Sequence, residues 1–274
     1  MNVAASILAI MLLFQQAYAP ADFTQISGAT LKARWDSAVA QGRRGPDDAF
    51  WIAYSVTVRP DLRVSTLDGN VSVSSYRMAD GIEWIPERTE PQHVGLFMMV
   101  GKSDGIIQKT RLIDLSQNFK VHDRHVYWLG APESAESITL LTALVVTAPQ
   151  SASSSLIHDM TLYDGGDATA RLLDLARATS NPLEVRKNAM FWLGQEVSRQ
   201  AGEELAKLTN DPQTEIQKQA VFAISRRNDD EAIPALINIA KNHSNPAIRK
   251  EAIFWLGQKR DDRVIAFFEQ MLKK

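Results

Sequence analysis

Cysteine is absent from the 274 residues, which excludes thiol nucleophiles, thiolate metal sites and disulfide staples together and leaves stability to packing. A dominant charge is missing too. The 30 Lys and Arg stand against 32 Asp and Glu, a net of −2, so charge gives no support to a nucleic-acid or anionic-membrane partner. Beyond Ala21 no stretch approaches the ~20 uninterrupted apolar residues of a bilayer span. The sequence has no G-x-S-x-G, no Walker loop and no G-x-G-x-x-G, which removes the common local signatures of acyl transfer, nucleotide hydrolysis and dinucleotide binding. What is present is a 45% hydrophobic content, enough for one large core or two ordinary ones.

The amino terminus bears on compartment. Val3 to Phe14 is apolar except for Ser6, AYAPAD follows, and the first charged side chain is Asp22. The run is too short to cross a bilayer, and small residues precede two candidate cuts, so 1–21 reads as a secretory signal peptide. Cleavage after Ala19 would leave Pro20 first, which favours cleavage after Ala21. The expected destination is export, periplasmic or secreted, in a bacterial cell.

Two periods divide the remainder. From about Phe50 to Trp128 the bursts FWIAYSVTV, NVSVSSY, HVGLFMMVG, GIIQKTRLIDL and HVYWLG are rich in β-branched and aromatic residues and separated by Asp, Gly, Pro and Asn. That is the pattern of five or six strands. LDGN (67–70) and KSDG (102–105) read as turns, the second closing a hairpin. A helix over Ala29 to Gln41, with Leu31, Trp35, Ala38 and Val39 on one face, precedes them. After Pro132 the period becomes helical: ESAESITLLTALVVTA reads as a helix, PQSASSS as a polar linker, and Leu156 to Tyr163 as a second helix. The expected organisation is an α+β, β-rich module over 22–150 and helical repeats over 151–274, about three helix pairs with capping helices.

The repeat itself is visible in three segments: VRKNAMFWLG from Val185, IQKQAVFAIS from Ile216 and IRKEAIFWLG from Ile248. Lys, Ala and Phe hold their columns in all three. Each segment follows Asn181-Pro182, Asp211-Pro212 or Asn245-Pro246, where the polar side chain can cap and Pro can enter the first turn. Other amphipathic stretches lie between, so the unit is a helix pair that buries its apolar face by stacking on its neighbours. Gly194, Ser225 and Gly257 are expected as helix stops in the left-handed region. YWLG at Tyr127 to Gly130 lacks the repeat's Arg-Lys and is expected to be the last strand of the first module.

From about Asp167 to Lys274 the chain resembles the HEAT repeat family, in particular the short bacterial phycobilisome-lyase-like repeats, whose second helix carries a Val-Arg, Ala and Leu-Gly pattern. The resemblance implies an α-solenoid, with second helices lining a concave side that holds a protein partner. It also implies that Arg186 and Arg249 pair with an Asp or Asn near the preceding turn, Asn181, Asp211 or Asn245, as a structural ladder. HEAT-type metal hydroxylases hold iron with His-Glu dipeptides, and none of the five His is followed by Glu.

On a helical wheel Trp192, Val185, Ala189 and Leu193 share the core arc, with Met190 at its edge, and Phe191 points the other way beside Lys187. Lys187, Phe191, Lys218, Phe222, Lys250 and Phe254 therefore form a candidate binding ladder of rigid apolar anchors and orienting charge, with helix packing as the competing reading. His122 and His125, three apart on an extended segment, would face opposite sides, which disfavours a metal site. The favoured reading is a non-catalytic exported scaffold that binds a protein or peptide, without cofactor. The alternative is an enzyme with its site in the first module or at the junction of the two halves.

Overall fold

The computed structural model describes residues 22–59, 62–67, 70–75, 92–115, 119–122, 124–163, 167–195 and 199–273. The expected signal segment 1–21 lies outside them. The chain divides into two compact units, Met1–Ala168 and Thr169–Lys274.

The first unit is α+β, as the two sequence periods require. Its strands are β1 Thr24–Gln25, β2 Ala49–Val58, β3 Leu62–Leu67, β4 Asn70–Ser75, β5 Gln92–Gly101, β6 Ile107–Asp114 and β7 Val126–Trp128. Five of them form one mixed sheet in the order β1-β7-β2-β5-β6. β7 lies parallel to both β1 and β2, and the β2–β5–β6 run is antiparallel. β3 and β4 form a separate antiparallel pair with Leu67 opposite Asn70. Of the LDGN turn only those two ends are described. The KSDG turn closes β5 on β6 as expected: Gly105 takes φ +71°, and the Asp104 side chain accepts from the Ile106 N–H at 2.9 Å.

β2 is central in the sheet and buried along most of its length, which explains why FWIAYSVTV is nearly all apolar rather than alternating. One sheet face packs Phe23, Ala53, Phe97, Val126 and Trp128 together. YWLG is thus the closing strand, and Gly130, at φ +84°, turns the chain away from it.

Three helices complete this unit: α1 Leu31–Gly42, α2 Ser134–Val145 and α3 Gln150–Met160. Thr30 caps α1 by accepting from the Ala33 N–H at 3.2 Å, and Leu31, Trp35 and Ala38 are buried. Arg34 is also buried. Nη1 donates to the Leu129 carbonyl, Glu136 lies beside Nη2, and burial holds the guanidinium below its ordinary pKa. PQSASSS is not a linker. It is the first half of α3, whose buried Ala152, Leu156, Ile157 and Met160 recur at helical spacing among the serines.

The second unit is all helix: α4 Ala168–Arg177, α5 Leu183–Gln195, α6 Arg199–Leu208, α7 Thr214–Ser225, α8 Asp229–Asn242, α9 Pro246–Leu256 and α10 Asp262–Leu272. The three repeat segments are α5, α7 and α9, and amphipathic first helices precede each of them. At α9 the expected cap is present: the Asn245 side chain accepts from the Ala247 N–H at 2.9 Å, and Pro246 stands in the first turn. Val185, Ala189, Met190 and Leu193 are fully or nearly buried.

Candidate functional site

The site grows from a polar column, a small column and an aromatic column on the second helices. Arg186 is completely buried. Its Nε donates to the Ala176 carbonyl at 2.8 Å, Nη2 pairs with Asp211 at 2.5 Å, and Nη1 reaches Gln213 at 3.3 Å. The ladder therefore does not pair each Arg with an acid of its own preceding turn as expected; it runs forward, from Arg186 on one second helix to Asp211 in the turn before the next. Gln217 repeats it: Asn245 donates to its Oε1 at 3.0 Å, while its own Nε2 donates to the Asp211 carbonyl at 2.8 Å. Among the described residues Arg249 pairs with no Asp or Asn side chain. Its Nη1 donates back to the carbonyls of His243 and Ser244 at 2.7 and 3.0 Å. Asn181, the remaining candidate partner, donates to the Leu175 carbonyl instead.

The small column is not a set of left-handed stops. Among the described glycines only Gly105 and Gly130 have positive φ, and Gly257 sits at φ −62°. Gly194 lies inside α5 because the backbone of α7 passes against it. A Cβ there would stand 2.7 Å from the Ala223 carbonyl oxygen, too close for any side chain.

The aromatic column is joined. Phe191 stacks on Phe222 with centroids 6.2 Å apart and planes 17° from parallel, Phe222 meets Trp255 at 5.1 Å, and Trp255 meets Phe254 edge-on at 5.0 Å. Phe191 and Phe222 are half-buried, each against the next repeat, whereas Phe254 is 55% exposed. Trp192 is not the core residue that the wheel suggested, and Trp255 holds the same column. Both are half-buried and touch the adjacent Phe, because a second helix between two neighbours has no single inward arc. The charge on the strip is also more balanced than a cationic ladder: Lys187 pairs with Glu184 and Lys218 with Glu215, each at 3.1 Å. Ala247 takes that glutamate position before Lys250, which is exposed.

Residues 202–274 match the family model described as HEAT repeats. Helices α7 to α10 and most of α6 lie in that HEAT-repeat match. Among the solved structures similar to the chain are two made proteins. An engineered protein solved in a structural-genomics programme shares 17% identity over 48% of this chain and 67% of its own, at a TM-score of 0.29. A designed armadillo repeat protein, solved in complex with a (KR)4 peptide, shares 18% over 50% and 69%, at a TM-score of 0.31. No curated protein sequence matches.

Away from the HEAT repeats, the first unit has an open cleft of about 280 Å³ lined by Asp22, Phe23, Asp47, Val121, Arg124, His125 and Val126. Asp47 accepts from the His125 backbone N–H at 2.8 Å and faces Nδ1 of the ring at 2.7 Å. Those bonds, the backbone one first, hold its carboxyl below the usual range. The two contacts with Asp47 fix the orientation of the His125 ring at the cleft. Sequence reasoning weighed His122 and His125 together and missed Asp47, which is distant in sequence. Among the described residues no three His, Asp or Glu side chains gather as a metal ion would need.

Proposed function

We propose that this chain is an exported, non-catalytic scaffold whose HEAT repeats bind a protein or peptide along the aromatic strip of the second helices, on the concave side of the solenoid. One observation carries the reading. Phe191, Phe222, Trp255 and Phe254 form an unbroken run of ring contacts across three helices, and none of the four is fully buried. Rigid aromatic area at low entropy cost is what anchors bound segments, and the alternating Glu184–Lys187 and Glu215–Lys218 pairs supply orienting charge of both signs.

The test is affinity capture from the exporting cell with the mature chain, compared with a variant carrying Phe191→Ala, Phe222→Ala and Phe254→Ala. Circular dichroism must first show the variant folded. Equal recovery of partners by both proteins would remove the strip. Export is tested separately by fractionating the expressing cell and sequencing the amino terminus of the recovered chain: an exported chain beginning at Asp22 is the expected result, and a chain retained inside the cell with Met1 intact would refute export.

A second reading, an enzyme acting in the first unit, is favoured by the Asp47–His125 pair at the cleft. A carboxylate that orients an imidazole is the arrangement of a general base. Hydrolysis of nitrophenyl esters or phosphates that disappears in His125→Ala would establish it, and equal rates in both proteins would dismiss it.

A further inference from the structure

His243 is the one histidine of the second unit: His93, His122, His125 and His158 all lie before Thr169. It ends α8 and opens the short turn into α9, where its backbone N–H still donates to the Ile239 carbonyl. The residue is buried, and backbone groups engage both ring nitrogens. Nε2 lies 2.9 Å from the Thr209 carbonyl oxygen, just past the end of α6, and Nδ1 lies 3.1 Å from the Asn245 nitrogen, whose N–H donates to it. A carbonyl can only accept and an amide N–H can only donate. The two contacts therefore fix the ring in its neutral form with the proton on Nε2. A second proton, on Nδ1, would set donor against donor.

The bond at Nδ1 belongs to a junction between repeats. Asn245 caps α9 by accepting from the Ala247 N–H and donates its side-chain amide to Gln217 of α7. Gln217 in turn donates to the Asp211 carbonyl, two residues beyond Thr209. His243 thus closes a circuit of contacts through the turn before α7, α7 itself and the turn before α9. The charged groups nearby give an imidazolium no support. Arg249 of α9 donates Nη1 to the His243 carbonyl at 2.7 Å, Asp211 is taken by Arg186, and Lys241 of α8 lies over the Phe267 ring. The contribution of α7 is the neutral Gln217. Among the described residues no Asp or Glu pairs with the His243 ring. The carboxyl end of α8 favours positive charge, but that attraction is weaker than the cost of stranding the Asn245 N–H against a second donor.

We infer that His243 is an acid-released latch joining α7 to α9. As pH falls through the range in which imidazoles ordinarily take up a proton, an opened turn binds that proton and the latched turn resists it. The junction therefore weakens with acid and recovers with base. The Phe222–Trp255 ring contact crosses the same two helices, so the latch also governs the continuity of the aromatic strip. It stands whether or not that strip binds a peptide.

The test is amide hydrogen exchange of the full-length chain, read by mass spectrometry over 209–217 and 243–249 and expressed as protection relative to each amide's intrinsic rate. From pH 7.5 to pH 5.5 protection in both segments is expected to fall about tenfold. In His243→Asn, whose side-chain oxygen can accept from the Asn245 N–H but takes up no proton, protection should stay constant over the same range. Unchanged protection in the native chain, or an equal fall in His243→Asn, overturns the inference. Nitrogen NMR of the native chain decides the point should that variant fail to fold. A neutral His243 ring protonated on Nε2 at pH 7.5 is the expected result, and the opposite tautomer or a charged ring at that pH refutes the latch.

Discussion

At the residue scale, position in the array decides what an identical residue does. Gly194 and Gly257 close the same FWLG phrase, yet the Ala223 backbone crosses the first and solvent covers the second. Gly194→Ala is expected to force α5 and α7 apart at a cost of about 1–3 kcal/mol. Gly257→Ala, at a helical φ where a Cβ would make only ordinary contacts, should be neutral or stabilising by up to about 1 kcal/mol. Urea midpoints of the two variants check the contrast, and equal effects would sink it. Asp159 on α3 supplies a different kind of test. It is 2% exposed, its Oδ2 has no hydrogen-bond partner among the described residues, and burial raises its pKa, opposed by the neighbouring His158. The folded chain therefore keeps a proton that the unfolded chain releases near the ordinary carboxylate value. Stability contributed by this group falls as pH rises from that value through the raised folded one. Asp159→Asn, which cannot ionise, should exceed the native protein's stability by on the order of 1 kcal/mol at pH 8. The advantage should shrink toward pH 4. Denaturation at the two pH values measures it, and a constant difference would show that Asp159 does not titrate.

At the scale of elements, the bonds that matter cross from one helix pair to the next. Removing Arg186 strands Asp211, which is 8% exposed, so Arg186→Met is expected to cost about 3–5 kcal/mol. Arg249→Met removes the same residue type from the same column where the described residues offer no forward acid, and should cost less than about 0.5 kcal/mol. Thermal unfolding followed at 222 nm checks both, and comparable losses would contradict the forward ladder. The sequence columns exposed these elements because stacked repeats reuse their contacts, and so α4 to α10 were legible as helix pairs. Three features were less so. The serines of PQSASSS masked a helix whose apolar residues are small or widely spaced. Trp192 was misplaced because a wheel drawn on one helix assumes one buried side. The Asp47–His125 pair joins the start of β2 to that of β7 through strand pairing, a proximity that no local spacing encodes.

At the scale of the whole molecule, the repeat half has a nearest-neighbour logic that the sheet half lacks. The sheet places β7 beside β2 although some seventy residues separate them in the chain, so its core forms only when distant segments meet. The array closes each interface between sequence neighbours: α5 to α7 through Arg186–Asp211, and α7 to α9 through Gln217–Asn245. Such stacks derive their stability from the repeats and the interfaces between them. A chain consisting of residues 167–274 alone is therefore expected to fold as a helical protein and to melt in a single transition, since both couplings lie inside it. Arg186→Met in that truncated chain should uncouple α4 and α5 from the rest, splitting or broadening the transition, because the lesion sits at one interface and leaves Gln217–Asn245 intact. Circular dichroism distinguishes the outcomes. A sharp transition that merely moves to lower temperature would mean that the helices unfold as one unit and that the interface bonds do not set its cooperativity.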